Sequence, residues 1–414
     1  MAVMDEFQLH QPVPYNLHVD DDLLSTTKQK LRLARYPKEL EDLDEEDWSH
    51  GSKVTEVKRL AEYWENGFDW RAQEAIINST FKQYKVLVDI PSYGPQLIHF
   101  AHHPSSSPTA TPLLFVGGWP GSFIEAQKLI QPLTDPPSTS DPAFHFIVAS
   151  LPGFGPGDAP TKSPFGPLLA AHAFKILMVD TLGYKKFVTQ GGDFGSLVTR
   201  NMAMLYPQHV RACHFNLMFC GPPPVYKNPL VFGRLVLSRF LYSSKEQQAL
   251  VEAQAFYKSK IGYVQIQSTR PQTLGFGLGD SPVGLLGWFL EKYHDWMDLT
   301  HYKPSDDEIL TFVMMHWMQG ATPGLRYYKA LAEEKGKIAG LKSFQTYCST
   351  PTGYSQFPGE GISLPLDWIT ACTNLCWTKE HDRGGHFAAV EQPELLVQDL
   401  REWFGGETVR QAVA

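Results

Sequence analysis

Residues 189–200, TQGGDFGSLVTR, contain the pattern that decides the fold. A short apolar run, residues 187–188, leads into two glycines, and Asp193 then stands two positions before Gly195 at the start of a helix-like segment. The frame small–x–nucleophile–x–small is typical of the sharp strand-to-helix turn that raises a nucleophile above an α/β sheet. An aspartate there would also serve as an ordinary helix N-cap, because its carboxylate accepts the free N–H groups of the first turn. This stretch alone leaves both interpretations open.

On both sides of this turn, strand patterns alternate with helix-like segments. The predicted strands are YKVLVDI, QLIHFAHH, TPLLFV, FHFIVASL, KKFVTQ, HVRACHFNLM, FQTYCST and TNLCWT, and the final predicted helix is ELLVQDLREWF. Strands that alternate with helices predict a mostly parallel sheet with helices on both faces. We therefore expect the fold class to be α/β.

The same patterns divide the chain into four segments. Residues 1–95 are predicted to be a leader that is helical at first and ends in strands; its clearest helix runs from Val54 to Trp64 and stops at Gly67. Residues 96–220 and 345–414 are predicted to be the two parts of the α/β core. Residues 221–344 open with GPPP and are helical and rich in aromatic residues, so we expect a helical cap inserted into the core. Within the cap, TFVMMHWMQG is expected to be a core helix rather than a pocket wall.

Composition and charge exclude several classes of function. The 414 residues carry a net charge of −8, and the sequence contains no cluster of basic residues of the kind that binds nucleic acid. No run approaches the ~18 apolar residues of a membrane span, and the polar start MAVMDEFQLHQ is unlike a signal peptide. The five cysteines show no disulfide framework, and Cys372 and Cys376 lack the second pair of a zinc site. We expect a cytoplasmic protein with no metal and no other cofactor.

Two further motifs follow the order found in α/β-hydrolases. GGWPGS, residues 117–122, lies between a predicted strand and a helix, where that fold places its oxyanion loop; Trp119 would supply one N–H group and Phe194 the other. His386, in DRGGHFAAVEQPE, follows the last predicted strand, where that fold places its base. An ordinary glycine turn and a structural histidine are the alternatives. The position of both motifs relative to Asp193 favours the hydrolase interpretation.

The acid partner of His386 is expected to precede it in the chain. Glu360 follows the run PTGYSQFP, after a predicted strand. Asp382 is closer in sequence but shares the histidine's own loop, so we expect it to be a turn residue. The order Asp193, Glu360, His386 then matches nucleophile, acid and base.

Together these motifs resemble the microsomal-type epoxide hydrolases in their soluble fungal form, nearly from end to end. The resemblance is carried in order by LAEYWENGFDWRAQEAIIN, QLIHFAHHPSS, GGWPGS, SLPGFG, GGDFGS, GYVQIQSTRPQTLGFGLGDSPVGLLGWFLEKY, RYYKA, PTGYSQFP and RGGHFAAVEQPELL. It implies an α/β-hydrolase fold with a helical cap and an N-terminal leader. It also implies that Asp193 is the nucleophile, that His386 is the base and that Glu360 is its acid partner.

The resemblance implies a reaction and two more site residues. Tyr263 in GYVQIQ and Tyr328 in RYYKA match the cap tyrosines that bind the epoxide oxygen, with Tyr327 ranked behind Tyr328. The implied reaction adds water to an apolar epoxide and yields a vicinal diol through an ester on Asp193. A carboxylate suits this reaction because the resulting ester has a carbonyl for water to attack, whereas a serine would leave an ether. A homodimer is a further expectation from the family.

The sequence departs from the family pattern at two positions. Gly117 stands where the loop usually begins with histidine, and we expect its loss to loosen the loop. Phe194 follows the nucleophile where tryptophan is common, which changes the pocket wall and keeps the backbone N–H. The membrane anchor of the mammalian member is also expected to be missing.

Three alternatives to a general epoxide hydrolase stay open at this point. A haloalkane dehalogenase shares the aspartate and the water step, but it needs N–H donors for halide, and Phe194 argues against it. A non-catalytic binding protein on this fold is favoured only by Gly117. A biosynthetic enzyme that opens one natural epoxide is not separated by sequence from an enzyme of detoxification.

Overall fold

The computed structural model describes residues 7–413 apart from 45–46, 222–224, 335–343 and 345. The described part contains one sheet built from β1 Val13–Pro14, β2 Gln83–Ile90, β3 Gly94–His103, β4 Thr111–Val116, β5 Phe144–Ala149, β6 Phe187–Gly191, β7 Val210–Phe215, β8 Cys348–Gln356 and β9 Thr373–Glu380. The strands lie in the order β1-β2-β3-β5-β4-β6-β7-β8-β9. From β5 to β9 neighbouring strands are parallel, and the β1, β2 and β3 edge is antiparallel. The predicted α/β class is confirmed.

The helices fall into a leader, a core set and a cap. The leader helices are α1 Asp21–Arg32, α2 Val54–Asn66 and α3 Trp70–Thr80. The core helices are α4 Ile130–Thr134, α5 Pro167–Lys175, α6 Asp193–Leu205, α15 Leu366–Cys372, α16 Ala388–Glu391, α17 Pro393–Phe404 and α18 Glu407–Val413. The cap helices, between β7 and β8, are α7 Pro229–Val236, α8 Ser238–Leu241, α9 Ser244–Ser259, α10 Gly262–Thr269, α11 Pro271–Asp280, α12 Pro282–Trp296, α13 Asp306–Trp317 and α14 Thr322–Glu333. No helix in the described ranges has the length and apolar character needed to cross a membrane.

The order of these elements agrees with the segments predicted from sequence. The leader helix from Val54 does end before Gly67, and two strands follow the leader helices. The cap helices all lie between β7 and β8, as an insertion into the core requires. Residues 222–224, which belong to the GPPP run at the start of the predicted cap, lie outside the described residues. The boundaries of the four segments remain predictions.

The strand β8 lies further along the chain than the sequence predicts. FQTYCST, residues 344–350, was expected to be the strand, whereas β8 runs from Cys348 to Gln356. Pro351 lies inside it, at a shift of register against β9. Proline lacks an N–H for the ladder, so it is tolerated in a sheet mainly at edges and bulges. The bulge therefore explains why the strand continues through a residue that usually ends one.

The turn between β6 and α6 brings two backbones into direct contact. A Cβ atom on Gly195 would lie 1.8 Å from the carbonyl oxygen of Val116, and one on Gly191 would lie 2.5 Å from the carbonyl oxygen of Gly195. Both glycines are therefore needed for the start of α6 to approach the end of β4 closely. This contact places the first residue of α6 beside the loop that follows β4.

The leader packs against the cap and fixes the position of α13. Trp317 donates its indole N–H to the hydroxyl of Thr27 in α1 at 2.7 Å. Its ring also meets Trp64 of α2 edge to face, with the ring centroids 6.4 Å apart. Residues 309–317 of α13 are all buried, which confirms that TFVMMHWMQG belongs to a core helix. The leader, the cap and the core therefore share one hydrophobic core.

We expect Gly195→Ala to lower the free energy of unfolding by about 3 kcal/mol or more, because the added methyl group overlaps a backbone oxygen that has no side chain to rotate away. Gly277→Ala is the matched control, since Gly277 also lies in a helix and a Cβ there meets nothing within 4 Å. It should change stability by less than about 1 kcal/mol, in the stabilising direction. Urea unfolding followed by circular dichroism measures both. Equal stabilities for the two variants would contradict the close backbone contact.

Candidate active site

Asp193 occupies a strained position at the start of α6. Its φ angle is +44°, in the left-handed region that residues other than glycine rarely adopt. Its Oδ1 accepts a hydrogen bond of 2.8 Å from the backbone N–H of Trp119, in the loop after β4. Gly192, rather than Asp193, is the N-cap of the helix. The alternative that the aspartate is only a helix cap is therefore wrong, because its carboxylate is directed at another segment of the chain.

The loop after β4 reaches Asp193 only because Gly118 has no side chain. A Cβ atom on Gly118 would lie 2.3 Å from the Cβ and from the Oδ1 of Asp193. The backbone N–H of Phe194 also faces the carboxylate, so the two N–H groups expected from the sequence meet at this side chain. Burial raises the pKa of Asp193, and the charge of His386 and the two N–H groups oppose that rise.

His386 and Glu360 lie next to Asp193, as the order of the motifs predicts. The Nδ1 atom of His386 lies 2.9 Å from Oε1 of Glu360, and its Nε2 atom lies 4.0 Å from Oδ2 of Asp193. The side chains of both His386 and Glu360 are less than 10% exposed. The backbone N–H of His386 donates to the carbonyl of Trp296 at 2.8 Å, which fixes the loop against the cap. The three residues thus form a chain of acid, imidazole and carboxylate.

The environment of His386 determines its charge and its tautomer. Burial acts to lower the pKa of His386, but the carboxylates of Glu360, Asp193 and Glu125 outweigh burial and raise it to about 9. Because Glu360 accepts a hydrogen bond at Nδ1, the proton of the neutral ring is held on that atom. In the charged ring Nε2 also carries a proton, and only the neutral ring presents a lone pair at Nε2 toward Asp193.

The two cap tyrosines expected from the family lie together over the oxyanion loop. Tyr263 in α10 stacks on the ring of Trp119, with centroids 5.6 Å apart, and Tyr328 in α14 meets the same ring edge to face at 5.4 Å. Their rings also meet each other edge to face, with centroids 5.8 Å apart. Burial raises the pKa of both phenols well above the ordinary value, and the nearby Asp193 acts in the same direction. Both side chains therefore stay protonated beside the carboxylate.

Tyr327 points away from this cluster, although it is adjacent to Tyr328 in sequence. Its ring packs against Phe154, Phe165 and Phe194. Its hydroxyl group has no hydrogen-bond partner among the residues that the structure describes. Successive residues of a helix face in different directions, so only one of the two tyrosines can face Asp193. The geometry favours Tyr328, the first choice from the sequence.

The comparisons with known proteins agree with this geometry. The family profile described as "Epoxide hydrolase N terminus" matches residues 12–126, and the profile described as "alpha/beta hydrolase fold" matches residues 111–258. "Epoxide hydrolase 1" of Sus scrofa is 36% identical over 414 residues, which cover 95% of this chain and 88% of the relative. The chain belongs to the epoxide hydrolase family. It is an enzyme of that class.

Other epoxide hydrolases show how far the likeness extends. "Juvenile hormone epoxide hydrolase 2" of Ctenocephalides felis is 30% identical, over 94% of this chain and 84% of the relative. The solved structure of the Aspergillus niger epoxide hydrolase superposes with a TM-score of 0.81 at 29% identity, covering 97% of both chains. The leader, the sheet and the cap are therefore shared with a solved epoxide hydrolase.

His316 is a residue of the site that sequence reasoning missed. It lies in α13, next to Trp317, and its Nε2 atom is 3.1 Å from the carbonyl oxygen of Pro120 and 2.9 Å from that of Gly121. Burial lowers its pKa to about 4, so the ring is neutral. Because both partners only accept, Nε2 carries the proton and donates to the loop. The oxyanion loop, expected to be loose because Gly117 replaces histidine, is thus held from the cap; its mobility remains a prediction.

We expect Glu360→Gln to lower the pKa of His386 from about 9 toward the ordinary histidine value of about 6.5, because burial lowers this pKa and the variant removes the largest opposing charge. The imidazole would then be mostly neutral at a pH where the wild-type ring is mostly charged. Histidine side-chain NMR titration of the free enzyme measures this directly.

Asp382→Asn is the control for that titration. Asp382 shares the loop of His386 and was the competing acid in the sequence, but its side chain is 86% exposed and pairs with Arg383. Its loss should leave the pKa of His386 at about 9. If the pKa of His386 fell in the Asp382 variant and stayed at about 9 in the Glu360 variant, Asp382 would be the acid partner instead of Glu360.

Proposed function

We propose that this enzyme converts an apolar epoxide and water to a vicinal diol in two steps on Asp193. In the first step a carboxylate oxygen attacks one epoxide carbon and forms an ester, while the ring oxygen receives a proton. In the second step water hydrolyses the ester. The observation that carries the proposal is the pair of buried phenols packed on the ring of Trp119, whose backbone N–H holds the carboxylate of Asp193.

The geometry around Asp193 supports a direct attack on carbon. Oδ1 is held by the N–H of Trp119, which leaves Oδ2 as the attacking oxygen. An epoxide bound between Asp193 and the two phenols would have a donor at its oxygen and a nucleophile at its carbon. Tyr263 and Tyr328 would donate hydrogen bonds as negative charge develops on the ring oxygen, and one of them would give up its proton. Because burial keeps both phenols protonated, both could donate a hydrogen bond to the epoxide oxygen.

The second step would use His386 as the base. His386 Nε2 would accept a proton from water, while the water oxygen attacks Cγ of Asp193. The negative charge of the tetrahedral intermediate would develop on Oδ1, which accepts from the N–H of Trp119, and the N–H of Phe194 would be the second donor. Glu360 would hold the imidazolium that forms, as the acid of a catalytic triad does.

The walls around Asp193 support an apolar substrate. Trp119, Trp296, Tyr263 and Tyr328 form a continuous group of ring contacts, with centroid distances of 5.4–6.2 Å. Phe194 adds a ring 4.8 Å from Tyr328. Aromatic walls with a few directed polar groups are typical of sites for small apolar molecules. The cytoplasmic location and the homodimer remain predictions of the sequence.

We expect His386→Gln to attack an epoxide but to hydrolyse the ester at least about 100-fold more slowly, because the base is missing only from the second step. The variant should be incubated with a panel of epoxides and quenched in acid, and the mass of the peptide that carries Asp193 should be measured by mass spectrometry. A mass increase of one whole substrate is the expected result. The proposed reaction would be contradicted for that panel if the peptide stayed unmodified and if neither the variant nor the wild type, both folded, released diol.

We expect Tyr263→Phe and Tyr328→Phe each to lower the rate of ester formation by about 10- to 100-fold, because each removes one donor to the epoxide oxygen. Tyr327→Phe is the matched control, since Tyr327 is adjacent in the same helix and its hydroxyl is directed into the core. It should leave the rate within about 3-fold of the wild type. Stopped-flow tryptophan fluorescence measures ester formation. A larger loss for Tyr327→Phe than for Tyr328→Phe would exchange their roles.

A further inference from the structure

A small cavity lies directly beside the Asp193 carboxylate. Its walls include Gly117, Glu125, Gln190, Asp193 and His386. It leaves about 20 Å³ for the centre of a water molecule, a little above the ~10–15 Å³ that one buried water requires. The cavity is therefore large enough for one water and too small for an epoxide substrate.

Two buried oxygen atoms that line this cavity lack a hydrogen-bond donor. Oε1 of Glu125 and Oε1 of Gln190 are both fully enclosed and have no partner among the described residues. The Nε2 group of Gln190 donates to Oδ1 of Asn216 at 2.8 Å, and this bond fixes the orientation of the amide. A buried acceptor without a donor is destabilising, and one water has two O–H groups to offer. The two acceptors thus specify a water between Glu125 and Gln190.

The glycines of the oxyanion loop make room for the Glu125 carboxyl group. A Cβ atom on Gly117 would lie 2.7 Å from Oε1 of Glu125, and one on Gly121 would lie 1.9 Å from it. The carboxyl group therefore occupies the space that a side chain at position 117 would need. Gly117 is also the position at which the sequence departs from the histidine of the family pattern.

The electrostatics of Glu125 suit a group that contacts water beside a carboxylate. Burial raises the pKa of Glu125 to about 8, although the charge of His386 and the N–H groups of Ser122 and Gly118 act in the opposite direction. A second full negative charge next to Asp193 is thereby avoided. Glu125 in turn is one of the groups that raise the pKa of His386. Glu125, Asp193 and His386 therefore interact electrostatically across the cavity.

We propose that this cavity holds the water that hydrolyses the Asp193 ester, and that Glu125 is the positioning residue that orients it. This inference rests on the proposed function. The water oxygen would form the bond to Cγ of Asp193, and one water proton would pass to Nε2 of His386. The bond between Cγ and the alkyl oxygen would then break, and that oxygen would take the proton from His386 to become a hydroxyl group of the diol. The second water proton, left on the Asp193 carboxyl group, would return to the phenolate formed in the first step, which restores both the carboxylate and the tyrosine. Gln190 would accept a hydrogen bond from one O–H of this water, and the other O–H would lie between Oε1 of Glu125 and Nε2 of His386, so that Glu125 holds it in place until the imidazole takes the proton.

The test separates the two chemical steps in single turnovers of the whole enzyme. Rapid quenching followed by mass analysis of the Asp193 peptide gives the rates of ester formation and of ester loss. In Glu125→Leu, which has a similar volume and no acceptor, ester loss should fall by about 10- to 100-fold while ester formation stays within about 3-fold of the wild type. Glu125→Gln, which keeps an oxygen, should recover most of the lost rate. Gln190→Leu removes the other acceptor and should repeat the Glu125→Leu result, which decides the matter if Glu125→Leu does not fold.

Three results would overturn the inference, and they differ from one another. An equal loss in both steps would show that Glu125 only supports the oxyanion loop. Unchanged ester loss in both leucine variants would show that the cavity holds a structural water and that the hydrolytic water binds elsewhere. A wild type that releases diol without any ester on Asp193 would overturn the proposed function itself. Only the last result affects Asp193, so the two failures are distinguishable.

Discussion

The contact between the backbone N–H of Trp119 and the Asp193 carboxylate is the constraint around which the rest of the site is arranged. It requires the loop after β4 to touch the start of α6, and no ordinary side chain fits between them. Gly118 and Gly195 are glycines because a Cβ atom at either position would overlap with Asp193 or with the carbonyl of Val116. The strained φ angle of Asp193 has the same origin. The glycines of both motifs are therefore required by one close contact, between the loop after β4 and the start of α6.

His386 faces three carboxyl groups of the site. Glu360, Asp193 and Glu125 all raise the pKa of His386, which favours imidazolium in the resting enzyme. In the proposed reaction, ester formation would remove the negative charge of Asp193 and therefore one cause of that rise. The pKa of His386 would then fall, so that more of the imidazole would be neutral and able to accept a proton when water attacks the ester.

The sequence predicted most of the fold and also the residues that the structure brings together around Asp193, for identifiable reasons. Asp193 and His386 lie in motifs whose order along the chain is fixed by the sheet, and Glu360 follows a strand next to the histidine loop. Tyr263 and Tyr328 came only from the resemblance, since nothing local separates them from the other 15 of the 17 tyrosines. His316 and Glu125 were missed because their partners depend on how the cap and the loop pack in three dimensions. The start of β8 was misplaced because a bulge accommodates Pro351.

The helix α13 contacts both the leader and the oxyanion loop, through two neighbouring residues. Trp317 binds Thr27 of the leader, and His316 binds the carbonyls of the oxyanion loop. The leader is therefore connected to the loop that holds Asp193 through one helix, although it is far from that residue in sequence. For recombination between α/β-hydrolases, this means that the cap is not an exchangeable module. A chimaera that receives this cap without residues 21–80 would lose the support of its oxyanion loop, so the leader and the cap must be inherited together.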